Sequence, residues 1–543
     1  MSTTNLVRNK MRILSTTLMV LALSMGHFLF AQEPVYKWGE PCTNENLDRQ
    51  IEKLLNLGND GFAVLKSKTG TGLVKTYWIE QYDASLKLVE TNRVDFAGGV
   101  MGDSYDVTDI HVVNGKIYAF VEHWHKAYGH NTLLVRELSV GGKMTEIAEL
   151  DIIDAKKMMN RGKHEVSFSE DGTKLVVLSQ LPGVKKTNEN FRISCFAVDG
   201  MKRLWSHEKE TTWPSKKYYN QEVCVNNKGV SLLFKRTRVK SVWNYSIYSI
   251  GESGDLTDHT GLLLEGLEME DFQLKFNSKD ELIAYATITN KGAVAEKRVH
   301  GSWFAKFDTD MKLQTVLQSD WDASVLTEVG GEKLAGKKEP MLKNFTLKDI
   351  LFREDGNMLV LIEQMRAEKD MITGANPIRY NYKWAYGGVL TLALNPESGE
   401  TLWSQFFDKK QVTTNNQDWD EYGSFVYHLS GNRLFVLWNA TELSIASIPP
   451  ANWTEPDGTR YVKHKAFDEK TSHGTFMHVI EEDGSMAYDN RKFGLPLFTM
   501  HSGAVFPMSM SARFFFESNG MLVLRAAMNN GGKRYRYGLI DLK

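Results

Sequence analysis

The chain has 543 residues, 42% of them hydrophobic, 11% aromatic and 24% charged, with a formal net charge of −2. That balance excludes intrinsic disorder and leaves ample apolar material for a large core. Three cysteines, Cys42, Cys195 and Cys224, are too few for a disulfide-built scaffold and too irregular for a zinc site. Cys195 and Cys224 sit in alternating, strand-like runs and are expected as buried thiols, with a bridge as the alternative.

The first element is an export signal. Arg8, Lys10 and Arg12 precede an apolar run from Ile13 to Phe30, and Ala31-Gln32 leads into a polar segment. A cleavable signal peptide is expected over 1–31, with an uncleaved anchor as the alternative. The ending Phe28-Leu29-Phe30-Ala31-Gln32 resembles export signals of Bacteroidota. Cys42 follows Gly39-Glu40-Pro41 well past the apolar run, which argues against a lipid anchor, and no later run is long and apolar enough to span a bilayer. The mature part, 32–543, is expected in the periplasm or outside the cell.

From there one pattern recurs: an alternating strand, a tight turn, then a strongly apolar strand. The turns are Asn59-Asp60-Gly61, Asn114-Gly115, Glu170-Asp171-Gly172, Asn227-Lys228-Gly229, Ser278-Lys279-Asp280, Glu354-Asp355-Gly356, Ser430-Gly431-Asn432 and Ser518-Asn519-Gly520. Runs such as Leu175 to Leu178 and Met358 to Ile362 suit strands covered on both faces. A third strand follows each, and often a fourth. Four antiparallel strands repeated radially predict an all-β, eight-bladed β-propeller, with seven blades as the alternative. The predicted blades are 48–96, 104–152, 163–209, 219–262, 270–318, 345–412, 422–492 and 497–543. The last lacks its fourth strand, and 34–39, containing Val35-Tyr36-Lys37-Trp38, is predicted to supply it and close the ring, so that no edge is left to pair with another chain.

Within the third unit, Val166 to Ser169, Asp171-Gly172, Leu175 to Leu178 and Asp199 through Trp205 resemble PQQ-like and WD40-like propeller repeats. Leu394 to Trp403 in the sixth resembles the tryptophan-docking element of PQQ-type propellers. The resemblance implies a propeller and raises a quinoprotein-like oxidoreductase as an alternative. Only Trp205 and Trp403 match that element, and no adjacent cysteine pair is present.

In such a blade the turn between strands one and two opens on one face and the loop between two and three on the other. Segments 66–76, 122–131, 180–191, 235–244, 289–302, 364–387, 439–474 and 527–536 are read as the second set. They are long, uneven and basic, whereas the rest of the mature chain is acidic, so this face is the expected working surface. Its sharpest patches are Lys235, Arg236, Arg238 and Trp243; Arg379, Tyr382, Lys383 and Trp384, with Tyr380 and Tyr386; and Arg534, Tyr535 and Arg536. Cations mixed with aromatics suit an anionic group held beside a stacked ring. Each patch also fits an ordinary hairpin surface.

His123, His125 and His130 could start a metal site but lack a carboxylate or thiolate partner, so no metal is expected. Asp418-Trp419-Asp420-Glu421 holds no spaced calcium loop. No Gly-x-Ser-x-Gly elbow or phosphate-cradling loop is present, and His164-Glu165 lacks a zincin's second histidine. The expectation is an exported, non-enzymatic binding or scaffold propeller. It has no cofactor, and its long-loop face docks an envelope or extracellular protein or an anionic glycan. A polysaccharide-cleaving or quinoprotein-like propeller enzyme is the alternative. Export argues against nucleic acid as a partner.

Overall fold

Tight reversals need left-handed backbone, and the repeated turns supply it, with Asn114 at φ 50°, Asp280 at 63°, Gly61 at 93° and Gly172 at 67°. Each reversal joins the first two strands of a blade. The computed structural model describes residues 35–40, 42–43, 49–69, 75–94, 104–184, 186–215, 219–239, 242–259, 267–290, 297–372, 379–415, 420, 422–441, 473–486, 495–497, 509–518, 520–527 and 534–542. Among these residues there are eight antiparallel sheets, each built on a path of four strands, and one two-stranded sheet. The predicted signal peptide and most of 439–474 lie outside the described residues.

Side-chain alternation explains why the second strands are apolar throughout. In Lys174–Gln180, Leu175 and Val177 pack toward the second blade, whereas Val176 and Leu178 pack toward the fourth. The same division repeats round the molecule. Eight apolar clusters each lie between two neighbouring sheets, including one that joins the eighth sheet to the first through Phe62, Tyr82, Val523 and Tyr537. A sheet with both faces buried in this way has no independent core, so stability is shared between neighbours.

Closure comes from the amino-terminal segment. Val35–Trp38 pairs antiparallel with Arg534–Asp541, placing Lys37 opposite Leu539 and Trp38 opposite Gly538. A Cβ on Gly538 would sit 2.5 Å from the Trp38 ring, so the glycine admits the indole. The fold is therefore a β-propeller fastened by its own first strand, as the sequence pattern predicts.

Two expectations need correction. Most of the segments read as loops are the far ends of strands: 235–244 is largely Ser231–Val239 and Val242–Ile250, and 122–131 falls in Lys116–His125 and His130–Leu138. Polar residues near the strand ends mimicked loops because buried polar contacts between blades use them. A helical insert was also missed. Ala323–Gly330 and Glu332–Ala335 lie between the fifth and sixth blades, with Val325 and Leu326 buried against Phe345 and Leu347.

Candidate functional site

The second and third strands of the sixth blade, Met358–Ile372 and Arg379–Leu394, are 15 and 16 residues long. The blade itself uses only their inner halves. Past a register shift between Glu363 and Met365, residues 365–372 pair with 379–386, and Gln411–Asn415 joins as a third strand. Eight residues at about 3.3 Å each make an arm about 26 Å long. Gly387 and Gly388 mark its foot. A Cβ on Gly388 would lie 2.1 Å from the Phe406 ring and 2.8 Å from the Phe407 carbonyl, so glycine is needed for the chain to pass there.

Strand alternation gives the arm two unlike faces. One carries Tyr380, Tyr382 and Trp384, with Lys369 opposite Tyr382 and Met371 opposite Tyr380. Tyr382 and Trp384 are nearly parallel, 17° apart with centroids 6.2 Å apart, and Tyr380 follows at 6.5 Å. Lys369 Nζ sits 3.8 Å above the Tyr380 ring and 5.4 Å from that of Tyr382. The other face carries Arg366, Glu368 and Lys383, with Glu368 3.0 Å from Arg366 and 3.8 Å from Lys383. Sugar rings stack on faces of the first kind, and a lysine beside them can hold an anionic substituent.

The other predicted basic residues go elsewhere. Lys235 is fully buried between the third and fourth blades, 2.8 Å from Glu189 and 2.6 Å from Gln221 Oε1. Burial pulls its ammonium below the usual lysine value against the opposing pull of Glu189. Arg236, one residue on, points the other way, donates to the carbonyls of Met269 and Glu270, and lies 4.7 Å from the Trp243 ring. Tyr535 is buried, accepts from Lys66 Nζ at 2.8 Å, and has the Arg525 guanidinium 4.5 Å over its ring. Arg536 is part-buried on the same strand. The side chains of Arg238, Arg379 and Arg534 lie outside the described residues. Among the described residues of the three patches, only those of the sixth blade lie on a strand extension, where Tyr380, Tyr382 and Trp384 are half-buried; Lys235, Arg236 and Tyr535 sit in the ring.

The three histidines form a row of rings, tilted or edge-on to one another, with a tyrosine stacked at each end. Ring centroids run Tyr105 to His123 at 3.9 Å, His123 to His125 at 3.5 Å, His125 to His130 at 4.7 Å, and His130 to Tyr128 at 5.6 Å. Among the described residues no group of three metal-binding side chains is placed to hold an ion. Asp420 accepts from Thr413 Oγ1 and from the Gly423 amide, so it caps a turn; Asp418, Trp419 and Glu421 lie outside the described residues. Cys195 and Cys224 are buried free thiols in different seams, Cys195 pushed up to about 12 by burial.

Sequence reasoning missed the polar seams. On the innermost strands, Lys53 reaches Asp109 at 3.1 Å, Lys275 reaches Asp349 at 3.0 Å, and Tyr427 donates to Asp349 from the next blade. Lys409 and Glu363, both fully buried, pair at 2.6 Å at the foot of the arm, with Lys348 3.1 Å from the same carboxylate. Glu222 differs from all of these. Its Oε1 accepts the Leu274 amide of the next blade at 3.0 Å, and burial pushes its carboxyl up to about 7. An Asp or Glu after the first residues of several inner strands, as in Glu165, Glu222, Asp271 and Asp349, was the available signal.

A cleft of about 700 Å³ between the second and third blades has a packing origin. Trp205, four residues after the left-handed Met201, donates its indole N–H to the Gly229 carbonyl of the next blade and packs on Gly254. Trp403, four after the left-handed Gly399, donates likewise to Glu482 and packs on Gly484. Four residues after the left-handed Gly142, the second blade carries Glu146, which pairs with Arg136 at 3.4 Å. Gly172 and Met201, the counterparts of Gly229 and Gly254, accordingly line an open cleft.

Strand pairing, seams and closure define the class of protein: a β-propeller. No protein-family model matches the chain, and no curated protein matches it. Among solved structures it is similar to a quinohemoprotein alcohol dehydrogenase of Pseudomonas putida, at 9% identity and TM-score 0.37 over 93% of this chain and 76% of that one. It is similar to the β-propeller domain of the trilobed protease of Pyrococcus furiosus, at 11% and 0.28 over 62% and 95%. It is also similar to prolyl oligopeptidase B of Galerina marginata, at 8% and 0.37 over 92% of this chain and 56% of that one. Values this low carry no functional argument, and the class rests on the strand pairing itself. Among the described residues no helix is long and apolar enough to cross a membrane.

Proposed function

We propose that this chain is an exported, non-enzymatic binding propeller whose arm on the sixth blade docks an anionic glycan of the cell envelope. The carrying observation is the row Tyr380, Tyr382 and Trp384 with Lys369 beside it, held on a three-stranded extension that the blade does not need for its own pairing. Rings supply stacking and the lysine supplies charge recognition, so binding weakens with salt. Affinity electrophoresis of the full chain through uronate-bearing and neutral polysaccharides tests this. Retention by the uronate polymer is expected, with a loss of tenfold or more in Tyr382→Ala/Trp384→Ala. Undiminished retention in that variant, or equal retention by the neutral polymers, overturns it.

One observation favours a second reading. Glu222, on an innermost strand with a carboxyl that titrates near neutrality, has the character of a general acid for polysaccharide cleavage. Release of reducing ends that disappears in Glu222→Gln supports that reading, and its persistence in the variant removes it.

A further inference from the structure

We propose that the cleft between the helical insert and the foot of the arm binds a small aliphatic carboxylate. This goes beyond the glycan reading and does not rest on it, because none of the arm's aromatic row lines the cleft. Its volume is about 290 Å³, at the small end for ligand sites, which suits a short chain.

The floor is apolar, made by Leu334 of the insert, by Leu342 and by Phe345, the last two 1% exposed. Burial of a hydrocarbon tail on such a floor is favourable in proportion to the area covered. Around the rim stand Lys333, Lys337 and Lys343, and no carboxylate lines the cleft. Lys333 and Lys337 are exposed and make no ion pair among the described residues. Elsewhere lysines are spent on carboxylates, as in Lys235 with Glu189, Lys297 with Asp271 and Lys409 with Glu363. At Lys333 and Lys337 the rim therefore offers positive charge with no ion pair among the described residues over an apolar floor, the complement of a molecule with an anionic head and an apolar body.

The wall opposite the insert is held firm. Gln364 Nε2 donates to the Lys343 carbonyl at 3.2 Å, and Arg298–Val299 pairs with Leu342–Lys343. The cleft thus has a fixed side from the blade and a charged side from the insert.

The test uses the full chain and octanoate in a ligand-observed NMR titration, with octanol and octylammonium as comparators. Octanoate is expected to bind at least tenfold more tightly than either comparator. Lys333→Gln/Lys337→Gln, both solvent-exposed changes, are expected to weaken octanoate at least fivefold, and Leu334→Gln to weaken octanoate and octanol alike. Equal affinity for octanol or octylammonium, an unchanged affinity in the lysine variant, or no octanoate binding each overturns the proposal. Tyr382→Ala/Trp384→Ala should leave octanoate binding intact while abolishing polysaccharide retention, so the two readings fail separately.

Discussion

Two segments of nearly the same composition meet opposite fates. Lys235 to Trp243 and Arg379 to Trp384 each mix cations with aromatics, yet Lys235 and Arg236 of the first are taken into the ring and Tyr380 to Trp384 of the second stand on the arm. In the first, alternation sends Lys235 to the third blade and Arg236 to the fifth, where each finds acceptors. In the second, the strand has run past its neighbours, so the same alternation divides an aromatic face from a charged one. Exposure is decided by how far along the blade a residue falls, not by its polarity.

The sharpest way to break that contrast is to strip the buried cation. Lys235→Met leaves Glu189 buried without its cation, and a loss of about 3–5 kcal/mol is expected in urea unfolding. Adding Glu189→Leu should recover most of that loss. A mild effect of the single change would mean that Lys235 is not sealed within the seam.

Next is Glu222, the seam carboxylate with no cation bonded to it. Its folded pKa is raised above the unfolded value, so the folded state holds the proton more firmly. Stability is then highest below about pH 4.5 for this group and declines as pH rises toward 7, where its carboxyl titrates. Glu222→Gln should gain about 2 kcal/mol at pH 8, after allowance for partial exposure, and almost nothing at pH 4. Melting curves at the two pH values decide it, and a pH-independent gain would refute the assignment.

On the arm the same kinds of substitution should be mild. Tyr382→Ala is expected to cost about 1 kcal/mol or less, since cross-strand pairs are worth no more. Lys383→Ala should lie within about 0.5 kcal/mol of the parent, because its pairing with Glu368 is exposed and 3.8 Å long. Thermal unfolding measures both. Losses as large as that of Lys235→Met would make the arm part of the ring.

Legibility followed periodicity. The turns at Asn114, Gly172 and Asp280, the doubly covered run Leu175 to Leu178 and the closing strand Val35–Trp38 were readable because each has a local signature: a left-handed turn residue, an unbroken apolar stretch, or an orphan strand matched to an incomplete blade. The tryptophan docking of Trp205 and Trp403 was readable for the same reason. The candidate site was half legible. Tyr382, Lys383 and Trp384 were singled out, but Lys369, supplied from the neighbouring strand, was not. Nor were Lys333 and Lys337, whose meaning depends on a floor made by Phe345.

Sequence alone thus determined the strand rhythm, the turn positions and the closure, since these depend on backbone sterics and on which residues can be buried. Tertiary structure alone decided which of many lysines would meet a carboxylate. Ion pairing joins residues distant in the chain, such as Lys235 with Glu189, and at close range in a dry seam it outweighs the preference of a charged side chain for water.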